Sequence, residues 1–423
     1  MGKANTSDAG RNYALDFIRV VAALLMTTFH WIWLAMFPGK IDNGYWGAYK
    51  IIQEHDILSV LGIENWNWFK GTYTMGFFVF VTGYFMMEGF KNQQAKGMFV
   101  DKRKHFGQTW RFTAKTYCSY APLCLFGTAW GWILTNANAR AAVMDWINTL
   151  VWNIWQFLGF HAAGMFQDNA TAYVNNYCGP AWYIEAFIVG ACIFYAILVR
   201  SERIAVFVVC PLMFMSSNIW LNQWLDPDTG AQLSYGITTL LPQDFVRLWG
   251  PLALGIWGWY IANAIKKASL SKKQEAAIGV SWVIVLAYLL ITSWTGYLGG
   301  MLNQDILWMY VAMIVIIQKD PVTRGLNKVM HKFPLSKFFA DFSGGLYLVH
   351  VPILLNFEGK FVEAFGWQKA SWFYELMCIC GAVIFIICNK FILKPLYGKL
   401  SKLLHARDKV EVPAFYAAVE AGK

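Results

Sequence analysis

Charge is what this sequence has least of. Only 14% of its 423 residues are Asp, Glu, Lys or Arg, whereas soluble domains average about a quarter. Hydrophobic residues make up 57%, and apolar runs long enough to cross a bilayer recur along the whole chain. This balance excludes an ordinary soluble domain and predicts an all-α, polytopic membrane helical bundle.

Several functional signatures are also missing. No GxSxG, HExxH, Walker or dinucleotide fingerprint occurs in a supporting context. No basic run is long enough to follow a phosphate backbone, so we expect no nucleic-acid partner despite the net charge of +10. Most of the eight cysteines lie in apolar segments and only Cys178 falls in a predicted outer loop, so we expect neither an external disulfide nor a metal site. No internal repeat is visible.

The apolar runs predict about ten transmembrane helices. They cover residues 14–37, 73–90, 109–134, 180–199, 204–220, 245–262, 277–294, 306–318, 338–357 and 372–393. With the N-terminus in the cytoplasm, 24 of the 35 lysines and arginines lie in cytoplasmic segments and 6 in outer loops, while the others lie within the spans. The positive-inside rule therefore predicts that both termini are cytoplasmic.

The same pattern predicts one membrane domain between two tails. Residues 1–13 and 394–423 form cytoplasmic tails, and residues 14–393 form the membrane domain. A long outer loop, 135–179, carries an interrupted apolar segment at 141–160. That segment is too broken for a full crossing, so we predict an interfacial or re-entrant helix.

The first predicted span places ionisable residues where hydrocarbon is expected. Arg19 and His30 are eleven residues apart, so on a helix they share one face, about 16 Å apart. A guanidinium at the cytoplasmic edge suits phosphate, and an imidazole near mid-depth can take up and return a proton. The alternatives are that Arg19 pairs with Asp16 or with headgroups, and that His30 only bonds a neighbouring helix.

The ninth predicted span carries a second polar face. Ser343, Tyr347 and His350 follow a +4, +3 spacing, so they lie on one side of a helix. His350 also falls near mid-depth, which makes both histidines candidates for catalysis. The alternative is a polar seam that orients helix packing. Glu185 and Glu375 lie near the outer ends of their spans and are candidates to bind an acceptor or orient a base.

Four sequence elements occur in order on four predicted spans. They are LDFIR followed by His30, GFFVFVTGYFMM with Thr82 where Ser is usual, AWYIEAFIVG, and DFSGGLYLVHVPI. On these elements the chain resembles the acyltransferase-3 family, the membrane O-acyltransferases of surface glycans. That family transfers acyl groups, usually acetyl, from acyl-CoA to a carbohydrate hydroxyl. An R-x-x-R pair that the family often carries before the third span is not found here.

The resemblance implies that His30 is the catalytic base and that Arg19 belongs to the acyl-donor site. We expect Tyr347 or His350 to stabilise the developing oxyanion. The cations available to the CoA phosphates are Lys102, Arg103, Lys104, Arg111 and Lys115. The residues expected to bind substrate are Asp16, Trp182, Glu185 and Ser343. A two-step route through a covalent acyl-His30 intermediate is the alternative to direct transfer.

The expected partners are therefore the lipid bilayer, acyl-CoA (acetyl-CoA) and a carbohydrate or glycolipid acceptor, without a metal. The expected location is the bacterial cytoplasmic (inner) membrane. A secondary transporter or small-molecule sensor on the same scaffold is the main alternative, although transporters are typically built from repeats. A scaffold subunit for glycan assembly is a second alternative, but it leaves the alignment of Arg19 and His30 unexplained.

Overall fold

The computed structural model describes residues 11–31, 74–158, 177–178, 181–222, 243–295 and 301–411. Regular structure in these ranges is helical, which confirms the all-α prediction. The helices are α1 (Tyr13–His30), α2 (Met75–Ala95), α3 (His105–Ala139), α4 (Val143–Trp152), α5 (Ile154–Phe157), α6 (Ala181–Arg200), α7 (Cys210–Asn222), α8 (Gln243–Lys267), α9 (Lys272–Thr295), α10 (Met301–Ile317), α11 (Pro321–Lys332), α12 (Phe339–Cys388) and α13 (Lys394–Leu403). Shorter pieces are the 3₁₀ turns Lys102–Lys104 and Ser336–Phe338, the turn Glu202–Ile204, and the π-helices Ala205–Val209 and Asn389–Leu393.

Each of the ten predicted spans overlaps a described helix. Four helical segments among the described residues are long and apolar enough to cross a membrane: Tyr13–His30, Lys272–Ile291, Ser336–Gly366 and Lys369–Leu403. A fifth is added if α10 and α11, which meet at a 75° bend, count as one broken span. The apolar helices fit an integral membrane protein, while the count of ten spans and the side of each terminus stay predictions.

Helices α2 and α8 pack backbone to backbone. A Cβ atom on Gly83 would lie 2.5 Å from the Leu252 carbonyl oxygen, and one on Gly255 would lie 2.2 Å from the Phe80 carbonyl oxygen. Small residues allow such close approach, and the resulting dispersion contacts drive helix association in lipid. Helices α7 and α10 pack against this pair.

The ninth and tenth predicted spans belong to one helical segment, α12. The helix continues beyond the predicted end of the ninth span and breaks only at Gly366, whose φ of 72° is left-handed. Phe357, Phe361 and Phe365 recur every fourth residue, so they line one side of the helix. Phe357 contacts Phe361 at 5.8 Å between ring centroids, and Phe365 stacks on Phe373 beyond the break at 4.3 Å. This aromatic ladder explains why the segment stays helical.

Helix α3 runs five residues beyond its predicted end and stops at Arg140, which adopts a left-handed φ of 50°. The predicted interrupted segment then forms two short helices, α4 and α5. Helix α4 folds back on α3, since the Trp132 indole N–H donates to Thr149 Oγ1 at 3.0 Å. Their interfacial position stays a prediction.

Helix α1 is anchored at its start and lies along both halves of α12. Asn12 caps the helix by accepting a hydrogen bond from the Leu15 amide at 3.0 Å, and its own amide group donates to the Val315 carbonyl at 2.9 Å. Phe17 contacts Phe339 at the beginning of α12, and Trp31 stacks on Tyr374 after the Gly366 break. This packing brings the polar residues of the two helices together.

Candidate functional site

His30 and His350 are in direct contact. They are 320 residues apart in sequence, yet His350 Nε2 lies 3.2 Å from His30 Nδ1. The ring centroids are 4.8 Å apart. His30 is partly exposed, whereas His350 is fully buried. The structure therefore brings together two of the predicted catalytic residues from separate helices.

Backbone carbonyls hold both rings. His30 Nδ1 lies 3.0 Å from the Met26 carbonyl oxygen, one turn earlier in α1. His350 Nδ1 lies 3.1 Å from the Leu346 carbonyl oxygen and 2.9 Å from that of Tyr347. Each imidazole is thus oriented by its own helix as well as by the other ring.

The other two residues of the predicted polar face are also buried. Tyr347 is 5.6 Å from His350 between ring centroids, in an edge-to-face arrangement. Ser343 Oγ donates to the Ala340 carbonyl at 3.0 Å, within its own helix. The predicted face of α12 therefore points into the protein, with Tyr347 beside the histidine pair and Ser343 one turn further toward the N-terminal end of the helix.

A proline and a cysteine shape α12 next to His350. Pro352 has no N–H, so it cannot donate the helical hydrogen bond to the Leu348 carbonyl. The Cys178 thiol lies 3.8 Å from that carbonyl oxygen. Cys178 was predicted to lie in an outer loop, and it is buried against α3, where a Cβ on Gly127 would be 2.5 Å from its sulfur.

Glu375 reaches α1 one turn before His30. Its Oε1 accepts a hydrogen bond from Thr28 Oγ1 at 2.8 Å, and its Oε2 accepts one from Thr27 Oγ1 at 3.0 Å. Sequence reasoning singled out Glu375 but missed both threonines, because isolated hydroxyls in an apolar run are common in membrane helices. The contact places a carboxyl group close to the C-terminal end of α1.

The N-terminal end of α1 carries a three-residue charge cluster. Asp16 Oδ2 pairs with Arg11 Nε at 2.7 Å, while Arg19 Nη1 lies 3.7 Å from Asp16 Oδ1. Arg19 Nε is buried and has no hydrogen-bond partner within the described ranges. Arg11 was not predicted as a site residue, since it precedes the helix and follows no helical spacing.

Helices α2 and α3 approach this cluster with polar side chains. Thr82, from the GFFVFVTGYFMM element, interacts through its side chain with Tyr120, which also lies in the electrostatic field of Arg19. Thr82 Oγ1 donates to the Phe78 carbonyl at 2.7 Å. Tyr120 carried no signal in the sequence, because a single tyrosine in an apolar segment is usual.

The remaining predicted cations lie at the start of α3. Lys102, Arg103 and Lys104 form a 3₁₀ turn capped by Asp101, whose side chain accepts from the Arg103 amide at 3.1 Å. Hydrogen bonding to the Arg103 guanidinium lowers the pKa of the Asp101 carboxyl. Further along, Arg111 contacts the Met98 sulfur at 3.8 Å and Lys115 is exposed.

The predicted acceptor side is only partly described. Trp182 and Glu185 lie in the first turns of α6, and the positions of their side chains are outside the described part, as are residues 159–176 of the Trp-rich loop. Nearby on α3 and α4, an apolar cavity of about 280 Å³ is lined by Trp132, Val143, Trp146, Ile147 and Leu150. Across the described residues, no group of three or more potential metal ligands comes together.

Comparison with known proteins gives one match. The sequence model of the acyltransferase-3 family, described as an acyltransferase domain, matches residues 12–390, nearly the whole chain. The matched region includes both histidines, Asp16 and Arg19, and it begins one residue after Arg11. No curated protein and no solved structure matches the chain.

Proposed function

The chain belongs to the acyltransferase-3 family, and from that premise we propose that it is a membrane O-acyltransferase. It moves an acyl group, in the simplest case acetyl, from cytoplasmic acyl-CoA to a hydroxyl of a carbohydrate or glycolipid on the outer side. The observation that carries this proposal is the contact between His30 and His350, two titratable side chains from separate apolar helices.

The charge cluster of α1 supports a donor site at the cytoplasmic end. Asp16 is engaged by Arg11 at 2.7 Å, so the more distant Arg19 keeps donor capacity for a phosphate oxygen. Along the helix Arg19 and His30 are about 16 Å apart, and the flexible pantetheine arm would span that distance. Further cations proposed for the CoA phosphates are Lys102, Arg103, Lys104, Arg111 and Lys115.

His30 is the proposed general base. It accepts the proton of the acceptor hydroxyl while that oxygen bonds to the thioester carbonyl carbon. The tetrahedral intermediate then collapses, the C–S bond breaks, and the proton on His30 passes to the thiolate to give free CoA and the O-acyl product. A hydrogen bond from Tyr347 would stabilise the oxyanion. A route through acyl-His30 gives the same products in two steps.

The acceptor is proposed to approach from the outer side. Trp182 and Glu185, at the start of α6, combine an aromatic surface with a carboxylate, a pairing suited to a polyhydroxylated ligand. Asp16 and Ser343 stay candidates for substrate binding, although both side chains already form hydrogen bonds within the protein.

This function fits a bacterial cytoplasmic membrane with about ten spans and both termini inside. In that arrangement residues 14–393 form the membrane domain, and residues 1–13 and 394–423 are cytoplasmic tails. The donor site then faces the acyl-CoA pool, and the long loop at 135–179 faces the acceptor.

The test is the release of CoA by the purified full-length protein in detergent with acetyl-CoA. Water can replace the acceptor hydroxyl, so slow release by the wild type is expected without an acceptor. His30→Ala should lower the rate by at least about 100-fold, the size of a general-base contribution, while acetyl-CoA still binds. The control is His405→Ala, because His405 is exposed near the C-terminal end and pairs with Asp408.

Two outcomes would contradict the proposal. Equal release by the wild type and His30→Ala would remove His30 as the base. A wild-type protein that neither binds acetyl-CoA nor releases CoA would remove the donor, and a transporter or small-molecule sensor would then explain the chain better.

A further inference from the structure

The hydrogen bonds around His350 determine its protonated nitrogen. His350 Nδ1 lies within 3.1 Å of the Leu346 carbonyl oxygen and 2.9 Å of the Tyr347 carbonyl oxygen. A carbonyl oxygen only accepts hydrogen bonds, so Nδ1 must carry the hydrogen. In a neutral imidazole the second nitrogen, Nε2, is then an acceptor.

The same reasoning extends to His30. Its Nδ1 lies 3.2 Å from His350 Nε2 and 3.0 Å from the Met26 carbonyl oxygen, and both of these atoms are acceptors. Nδ1 of His30 therefore carries a hydrogen that the two acceptors share. It follows that Nε2 of His30 holds the basic lone pair.

The opposite assignment conflicts with the same distances. If His350 Nε2 donated to His30 Nδ1, the lone pair of that Nδ1 would face the Met26 carbonyl oxygen at 3.0 Å. A neutral His350 would also direct the lone pair of its Nδ1 at two carbonyl oxygens. Both contacts would be repulsive, because each would direct a lone pair at a carbonyl oxygen.

We propose that His350 is a positioning residue that holds His30 in the Nδ1–H tautomer and so makes His30 Nε2 the base. The inference rests on the proposed function, because acyl transfer is what gives Nε2 a hydroxyl proton to accept. On protonation His30 becomes an imidazolium whose Nδ1–H still donates to His350 and to the Met26 carbonyl. Two neutral acceptors thus stabilise the cation without adding a second charge at a depth where charges are costly.

The burial of the two rings agrees with this division of roles. His350 is 0% exposed, and its two nitrogens are occupied by carbonyls and by His30. His30 is partly exposed and contacts His350. While these bonds persist, His350 has no hydrogen to donate to an oxyanion, so that role passes to Tyr347.

The test compares His350→Gln with His350→Phe. The glutamine amide oxygen can accept a hydrogen bond near the position of Nε2, whereas phenylalanine fills the space without an acceptor. The loss of the correct tautomer should lower the rate of CoA release in His350→Phe by about 100-fold, with acetyl-CoA affinity changed less than about twofold. His350→Gln should recover at least about tenfold of that loss.

Equal rates for the two variants, with His30→Ala inactive, would overturn the positioning role and leave the proposed function intact. Release by His30→Ala at the wild-type rate would instead overturn the proposed function. A second measurement needs no folded variant of His350. In ¹⁵N-histidine NMR spectra of the wild type, with the His30 signals assigned by their loss in His30→Gln, Nδ1 should be the protonated nitrogen. A protonated Nε2 with a bare Nδ1 would overturn the inference.

Discussion

The two ends of α1 hold their polar residues in opposite ways. At the N-terminal end, full charges meet: Asp16 lies between Arg11 at 2.7 Å and Arg19 at 3.7 Å. At the other end, neutral groups meet: His30 contacts His350 at 3.2 Å and a backbone carbonyl at 3.0 Å. One helix therefore contains an ion cluster and a neutral hydrogen-bond pair, eleven residues apart between Arg19 and His30.

In the proposed topology, the difference follows from the surroundings of each end. Near a membrane surface, water and headgroups screen charges, so an ion cluster costs little and can exchange an internal partner for a phosphate. Within the hydrocarbon region an unpaired charge is costly. A neutral pair there can still move a proton, because imidazole both donates and accepts. Anion binding and proton transfer are thus separated along the helix.

Glu375, which contacts the C-terminal end of α1, extends the comparison to a carboxyl group. Its carboxyl group accepts hydrogen bonds from Thr27 and Thr28 rather than from a cation. No ion pair of Glu375 occurs within the described ranges. Within the part of the chain that the structure describes, this carboxyl group is therefore held by hydroxyls, in contrast to Asp16, which is held by two cations.

The largest expected effect comes from placing a fixed charge at the neutral end. His30→Arg and His30→Gln should each lower acyl transfer by at least about 100-fold, because neither side chain is a base. Only His30→Arg should also destabilise the protein, by about 2.5–3.5 kcal/mol, the cost of an arginine inside a membrane helix. The measurement is CoA release combined with unfolding of the detergent-solubilised protein. If the two variants were equally stable, the His30 end of α1 would tolerate a charge no less than the Arg19 end does, and the comparison would fail.

The helices and the two polar faces were predictable from local sequence. The length of an apolar run and the 100° advance per residue belong to the chain itself. The apolar helices, the face shared by Arg19 and His30, and the face of Ser343, Tyr347 and His350 could therefore be predicted. The contact of His30 with His350 could not, since it joins residues 320 apart. The only sequence feature that linked the two histidines was that both were predicted to lie near the middle of their spans.

Other parts of the site depend on side chains that carry no pattern. Arg11 precedes α1, so helical periodicity does not apply to its contact with Asp16 five residues later. Thr27 and Tyr120 are uncharged residues in apolar runs, and only tertiary packing gives them polar neighbours. The continuation of the helix beyond residue 357 was not predictable for a related reason, because the aromatic contacts on one face of this more polar segment form only in the folded chain.

The second-largest expected effect comes from removing the charge of Arg19 at the charged end of α1. Arg19→Gln should weaken acetyl-CoA binding about 10- to 100-fold, since a hydrogen bond to a charged group contributes about 1.5–3 kcal/mol. Acetyl-pantetheine, which lacks the phosphates, should be used by wild type and variant at nearly equal rates. Arg11→Gln is the matched control and should have a smaller effect, because Arg11 acts through Asp16. Equal losses with both donors would mean that Arg19 does not bind phosphate.

A second charge cluster, around Glu202, gives the smallest expected effect. Glu202, in the turn between α6 and α7, pairs with Lys91 of α2 and accepts hydrogen bonds from Tyr260 of α8 and Gln94. Burial on its own would raise the pKa of this carboxyl, but these donors outweigh burial and the pKa lies below its ordinary value. The ionised form is therefore favoured in the folded protein.

Glu202→Gln should lower the free energy of unfolding at pH 7 by about 1 kcal/mol, since solvent screening limits a partly exposed pair. The sign of the pH dependence follows from the lowered pKa. Stabilisation by the carboxylate is fully present above the ordinary glutamate pKa of about 4.3 and is lost as the pH falls through the lower pKa of the folded state. Unfolding curves of wild type and variant should therefore converge in acid. If the difference in free energy of unfolding between wild type and variant stayed constant from neutral to acidic pH, Glu202 would contribute by packing. Charge would then matter less in this cluster than the comparison requires.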